Sequence, residues 1–332
     1  MLLTRATDFF EDLQTLFKNS GETTAIIYSQ IRKCSFDRVR QDSQTIHFRH
    51  SIIRFLTLMK IANIPTVHRC ISSDVGTFLP FCKDVLYKNK NDFEINWRRI
   101  LLKQAYRSME NITEDQMNDS TAESCFILDD TDLPKRGKAF EFIGRIFSHV
   151  TRQYGFGFKC MNLAYWSGKH LLHLDFSLHV ELGKNKDQGL SKKELLNRYS
   201  KTRNVGSAGH VRAKETLDNK IASSIKMLRR ALAVGFQASY ILADSWFFCS
   251  RLVKFTVGKD LDLISRPKFN NWKYEYNSQE FTLGALVKKF RYHKKKKWNK
   301  LLRLHHISVP VIFQGTPITL FFYKEKKRGT PW

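Results

Sequence analysis

Apolar positions along the chain change period about a third of the way in. Phe9, Phe10, Leu13, Leu16 and Phe17 recur at helical spacing. So do Ile52, Ile53, Leu56, Met59 and Ile61 before Pro65, and Trp97, Ile100, Leu101 and Ala105. That period predicts amphipathic helices and, over residues 1–118, a small helical domain. A polar run from Glu114 to Ser124 closes it. Beyond that run the pattern becomes short apolar stretches of strand length.

Phe126–Asp129 reads as a strand, and apolar residues at 140, 143, 146, 147 and 150 suggest a short helix over 139–150. Phe156–Trp166 and His170–Leu178 read as two strands joined by a hairpin turn at Ser167-Gly168-Lys169. The second alternates, with Leu172, Leu174, Phe176 and Leu178 on one face. His173, Asp175, Ser177 and His179 fall on the other, which predicts a strand with that face toward water. A polar loop over 183–209 follows, with some helix near Lys192–Tyr199. Over 214–235, Leu217, Ile221, Ile225, Leu228 and Leu232 form the clearest helical stripe, ended by Gly235. Ser239–Ala243 then reads as a buried strand that delivers Asp244. Leu261–Ser265, Val309–Phe313 and Ile318–Tyr323 are strand-like again.

This order, a strand, a two-strand hairpin, a crossover helix and a further strand, is that of an RNase H-like α/β core. It has three antiparallel strands, a helix, and a strand parallel to the first. The predicted organisation is a helical domain at 1–118, the core at 119–259, and a basic β-rich insertion at 260–332.

Composition narrows the partners. Hydrophobic residues make up 42% of the 332, enough for a packed core. Lys and Arg number 56 against 31 Asp and Glu, a formal charge of +25, which points to nucleic acid. No apolar run is long enough to span a membrane, and no signal peptide opens the chain, so a cytoplasmic, nucleoid-associated protein is expected. The six cysteines form no C-x-x-C pair and read as buried thiols.

The candidate chemistry lies where two apolar runs stop on carboxylates: Phe126-Ile127-Leu128-Asp129-Asp130-Thr131 and Ile241-Leu242-Ala243-Asp244-Ser245-Trp246. Buried strand ends tolerate carboxylates only when a cation meets them. A crossover between parallel neighbours would bring Asp129, or Asp130, beside Asp244, where hard oxygen ligands hold a divalent ion. Two-metal phosphodiester chemistry uses such carboxylates; without a metal, Asp-Asp-Thr simply caps a turn. His173, Asp175 and His179 share a strand face as ligands could, but a solvated face explains them equally. Lys135, Arg136 and Lys138 follow the first acidic pair closely and suit phosphate contact. Lys294, Lys295, Lys296 and Lys297 lie in a segment, 288–303, without a single acid. They read as a solvated face or as backbone-phosphate contacts.

The two acidic motifs, together with Leu133-Pro134-Lys135-Arg136-Gly137-Lys138, Tyr154–Trp166 and Leu174-Asp175-Phe176-Ser177-Leu178-His179, resemble DDE transposases of bacterial insertion sequences, the insertion-sequence-four-like group. The resemblance covers roughly residues 120–270. It implies Mg2+ or Mn2+ held by Asp129 and Asp244, and cleavage and strand transfer on element ends and target DNA by a homodimer. It also implies a third carboxylate, a Glu on a later helix within a Tyr…Arg…Glu…Lys pattern, which this sequence lacks. Glu275, Glu280 and Glu325 are the late glutamates, and none sits in that pattern. The expectation is therefore a C-terminally truncated transposase with impaired activity. The alternatives are a DNA-binding fragment without catalysis and a host nuclease that reuses the core.

Overall fold

The structure is a computed structural model and describes residues 59, 64–72, 83–115, 123–137, 140–182, 187–196, 200–291, 297–299 and 304–325. The stripes at Phe9–Phe17 and Ile52–Ile61 lie outside the described residues, apart from a helical Met59. Helices α1 (Val67–Ile71), α2 (Lys83–Lys90) and α3 (Trp97–Asp115) come first. Strands β1 (Cys125–Pro134), β2 (Gly144–Ser148), β3 (Gln153–Trp166) and β4 (Leu171–His179) follow. Then come α4 (Lys192–Leu196), α5 (Ala208–Glu215), α6 (Lys220–Val234), β5 (Tyr240–Ala243), α7 (Ser250–Val257) and β6 (Asp262–Ser265). A second set comprises β7 (Lys273–Tyr276), β8 (Gln279–Thr282), α8 (Leu283–Phe290), β9 (Lys297–Asn299), β10 (Leu304–Phe313) and β11 (Thr316–Glu325).

These elements form a mixed α/β structure with two sheets. In the first, β3 pairs with β1 on one edge and with β2 and β4 on the other, all antiparallel. Beyond β1 come β5 and β6, both parallel to it. The parallel step from β4 to β5 is made by α6, whose caps explain its length. Asn219 accepts the Ile221 amide at 2.8 Å, and Gly235 takes φ 113°, a left-handed value that favours glycine. The predicted helix over 214–235 is therefore two: α5 ends at Glu215, and α6 begins at Lys220.

One face of this sheet is covered by helices. Phe126, Leu128, Met161, Leu163 and Ile241 pack there against Ile225, Leu228 and Ala231 of α6, and against Leu102 and Ala105 of α3. Helix α3 is thus part of the core, although its residues fall inside the expected 1–118 domain; its apolar stripe needed a partner and found the sheet. Likewise β6 belongs to this sheet, beyond the expected boundary at 259, because it pairs along the open edge of β5. The short helix expected over 139–150 is instead β2, drawn into the sheet by pairing with Gln153–Gly157. At Gly157, a Cβ would stand 2.5 Å from the Leu133 carbonyl oxygen, so close approach of the strands requires glycine there.

In the second sheet the order is β11-β10-β7-β8, with β9 on β10. Its core joins Tyr274, Val309, Val311, Phe313 and Phe322 to Leu286 and Phe290 of α8. The β7–β8 turn uses positive φ at Asn277 and Ser278.

Strand β4 departs from its sequence pattern. Its pairing with β3 shifts between Leu163 and Ala164, so Leu174 is an extra residue, a β-bulge. Past the bulge Asp175 opposes Leu163, Ser177 opposes Met161 and His179 opposes Lys159. Polar residues expected to face water therefore turn under the helices. Asp175, Ser177 and His179 are only 2%, 3% and 1% exposed, while His173, before the bulge, stays exposed.

Among the described residues no helix is long and apolar enough to cross a membrane. Cys70, Cys125, Cys160 and Cys249 are free thiols, and burial pushes the first three above the ordinary thiol value.

Candidate active site

Strands β1 and β5 run parallel in register from Cys125 opposite Tyr240 to Leu128 opposite Ala243. The next residue on each is an aspartate, Asp129 and Asp244, both exposed. Alternation turns Asp129 to the face away from α6, and Asp244, one residue past the end of β5, comes to the same end of the sheet. The crossover thus joins two residues far apart in sequence.

Asp130 lies on the other face. Alternation along β1 turns it inward with Phe126 and Leu128, opposite Met161. A half-buried carboxylate there needs a cation, and Lys220, the first residue of α6, supplies it at 2.5 Å. The same ammonium lies 4.3 Å from the centroid of the Trp246 ring, and Lys268 lies 5.6 Å from it. Trp246, two residues after Asp244, is exposed, so this aromatic surface with two cations stands next to the carboxylates.

Both exposed carboxylates also serve the backbone. Asp129 Oδ1 accepts the Asp130 amide at 2.8 Å, and Asp244 Oδ1 accepts that of Trp246. The turn after β5 is closed by Phe247 N–H donating to the Asp244 carbonyl at 3.1 Å, and Ser265 Oγ donates to the same carbonyl at 3.0 Å. The turn-capping role weighed for such acids is therefore real at Asp244. It uses one oxygen and leaves the other open.

Asp129 and Asp244 fit two ligands of a hard divalent ion: short carboxylates where two neighbouring strands stop pairing and, among the described residues, without a lysine or arginine ion pair. Among the described residues no group of three His, Cys, Asp or Glu side chains stands close enough to hold a metal. Glu275 and Glu280 face each other across β7 and β8 in the second sheet.

The basic segments are placed differently from expectation. β1 does not stop at Asp129 but runs on to Pro134. Lys135 and Arg136 therefore begin roughly 20 Å further along the strand, not beside the carboxylates. Lys135 donates its amide to Phe156 O at 2.8 Å, and its ammonium rests 5.5 Å from the Phe140 ring. Lys297 opens β9, opposite His306. Lys138, Lys294, Lys295 and Lys296 lie outside the described residues.

His173, Asp175 and His179 do not form a ligand set. Asp175 is held by Arg230 Nε at 2.7 Å and by Arg98 Nε at 3.8 Å. Arg98 also donates to Glu215, and Arg230 approaches Glu215 at 3.9 Å. His179 Nδ1–H donates to the Asp218 carbonyl at 3.2 Å, and the Ser177 hydroxyl lies 2.8 Å from Nε2. Burial holds this imidazole below its ordinary value, and the Lys220 charge adds to that; hydrogen bonding to Asp218 O, Glu215 and Asp218 oppose it.

Lys220 and this buried network escaped the sequence reading. Lys220 looks the same as Lys226 in the sequence, one more lysine on the wet side of a helix. Only the register of β1 shows which carboxylate needs it.

No protein-family profile matches the chain, and no curated protein matches it. Among solved structures, the Drosophila P element transposase strand transfer complex is similar over 87% of this chain, at 9% identity and a TM-score of 0.27. The match spans 56% of that chain. A likeness this loose settles neither fold nor function.

Proposed function

We propose that the chain is a DDE-type transposase: an RNase H-like core that cuts phosphodiester bonds at element ends and joins them to target DNA, with Mg2+ or Mn2+. One observation carries this reading. Asp129 and Asp244 each directly follow the last pair, Leu128 opposite Ala243, of adjacent parallel strands. The strand order, with β3 between β4 and β1 and a helical crossover into β5, supports the RNase H-like assignment. The charge of +25 supports a polyanionic substrate.

In this role Asp129 and Asp244 would be the residues that hold the ion. A bound divalent ion would polarise the phosphoryl oxygens and lower the pKa of a bound water. Asp130 keeps its bond to Lys220 and stays out of the ligand set. Trp246, Lys220 and Lys268 line the approach, offering positive charge and an aromatic face to a DNA strand. Insertion-sequence ends and homodimeric pairing of them belong to the same proposal.

The test is cleavage and joining of labelled element-end DNA in Mg2+ or Mn2+ by the wild-type chain, Asp129→Asn, Asp130→Asn and Asp244→Asn. Removing one ligand should cost several kcal/mol of transition-state stabilisation, about a thousandfold in rate. Asp129→Asn and Asp244→Asn should be inactive, and Asp130→Asn should retain activity. Products that are cut but never joined would favour a host nuclease. Equal nicking by Asp244→Asn would sink the catalytic assignment.

A second reading, DNA binding without cleavage, is favoured by Lys220, whose hold on Asp130 leaves two carboxylates for the metal. Specific binding of element ends with no metal-dependent cleavage would establish it.

A further inference from the structure

Beyond the outer edge of β4 lies a cavity of about 250 Å³, away from the carboxylate pair. Its walls hold Arg98, Arg203, Arg212 and Lys201 together with the carboxylates of Asp92, Glu141 and Glu215, and Phe93 and Phe142 are apolar lining. The guanidiniums are not equivalent. Arg203 is bidentate on Glu141, with Nη1 at 2.6 Å. Arg98 is closed by Glu215 and Asp175. Arg212 has no carboxylate in ion-pair contact among the described residues, and its buried Nε has no hydrogen-bond partner. Burial and the Arg98 and Arg203 charges push its guanidinium below its ordinary value, and Glu215 offsets them only in part.

A half-buried cation without an ion-pair partner, its Nε buried and unbonded, is costly. Here it lines open space, with the exposed Lys201 at the same cavity. We infer that the cavity is an anion site that takes one phosphoryl group, with Arg212 as its main ligand and Lys201 as the second cation. Size supports a small group: 250 Å³ falls below the range of pockets for drug-sized ligands. A tetrahedral phosphate oxyanion suits the guanidinium fork, and the aromatic walls leave room for a sugar edge or a planar ring. The phosphate could belong to a DNA backbone or to a free nucleotide; the site chemistry is the same. Nothing here depends on Asp129 or Asp244, so this inference stands or falls apart from the catalytic reading.

The experiment uses the full chain, with thermal unfolding and calorimetry in inorganic phosphate, pyrophosphate and a short single-stranded oligonucleotide, against chloride at equal ionic strength. For the wild type, phosphate or pyrophosphate should raise Tm by a few degrees at saturation. Arg212→Met should raise the Tm of the ligand-free chain, because it removes a half-buried charge without an ion-pair partner, and should weaken phosphate binding by at least about tenfold. Arg212→Lys keeps the charge without the fork; it should fold as the wild type does and show an intermediate loss. If Arg212→Met also lowers oligonucleotide affinity and reduces its salt slope by about one, the phosphate is a backbone phosphate. If only the inorganic anions respond, the ligand is free. No response in the wild type beyond chloride, or an equal response in Arg212→Met, overturns the site.

Discussion

The helix-covered face of the first sheet has two halves that obey different rules. In one, Phe126, Leu128, Met161 and Leu163 meet Ile225, Leu228 and Leu102. In the other, only one or two residues further along the same strands, Asp130, Asp132, Lys159, Asp175, Ser177 and His179 point to the same side. Asp130 meets Lys220, Asp132 pairs with Lys159, Asp175 meets Arg98 and Arg230, and Ser177 meets Glu215 and His179. Sheet and helices are common to both. What differs is how burial is tolerated. The apolar half gains from lost water contact in proportion to area, about 25 cal/mol per Å². The polar half gains little from area and depends on every charge having its partner. Damage in the first half should therefore be graded, and in the second all-or-none.

Arg98→Met should produce the largest effect. It leaves Asp175 with one arginine and Glu215 with a distant one, and breaking a buried pair costs about 3–5 kcal/mol. Urea unfolding measures it, and a loss below about 1 kcal/mol would erase the contrast between the halves. In the apolar half Leu128→Ala should cost about 2–5 kcal/mol, set by how far the cavity collapses. The two halves part company on full replacement. Exchanging Arg98, Asp175, Glu215 and Arg230 together for apolar residues of similar volume should be neutral or stabilising, because it removes the desolvation cost as well as the pairing. Truncating Leu128, Leu163 and Leu228 together should only add losses.

How much of this was legible follows the same division. The apolar half could be read off the chain. The runs ending at Leu128 and Ala243, the hairpin at Ser167-Gly168-Lys169 and the stripe Ile221, Ile225, Leu228 all have one period and one partner. The place of Asp129 beside Asp244 followed from the crossover. The polar half could not be read, because its geometry comes from one residue. The bulge at Leu174 shifts β4 by a single position, and a one-residue slip moves every following side chain to the other face. Period-2 alternation continues unbroken through 172–179 and gives no sign of it. Length was lost at β1 for a related reason: polar residues from Asp130 to Asp132 looked like a turn, but pairing with Lys159, Cys160 and Met161 on β3 keeps them in the strand.

Lys220→Met should act more gently on stability, by about 1 kcal/mol, since the Lys220–Asp130 pair is partly solvated, with side chains 17% and 29% exposed. Relieved of its ammonium, Asp130 still points to the opposite face of β1 from Asp129, so Mn2+ affinity measured by calorimetry should stay that of the wild type. Tighter Mn2+ binding would mean that Asp130 reaches the ion and belongs to the ligand set.

The smallest effect should be confined to acid, at His179. Its imidazole is held below the ordinary value of 6.5, chiefly by burial beneath the helices. The groups that face it are the Asp218 carbonyl, the Ser177 hydroxyl, and the charges of Lys220, Glu215 and Asp218. As pH falls below about 6.5, the unfolded chain takes up a proton that the folded one refuses, so stability drops through that window; above it both states are neutral and the curve is flat. Glu141, whose carboxyl is pushed up by burial but held below its ordinary value of 4.5 by the hydrogen bonds from Arg203 and the Lys201 amide and by the charges of both, gives a slope of the same sign at lower pH. The two windows are therefore separable in a pH series of urea midpoints. His179→Asn, whose amide can still donate to the Asp218 carbonyl, should flatten the upper window and leave the lower one in place. A slope near pH 6 that survives His179→Asn would assign it to another group in the polar half, and the closed pairing inferred there would need a second titrating member.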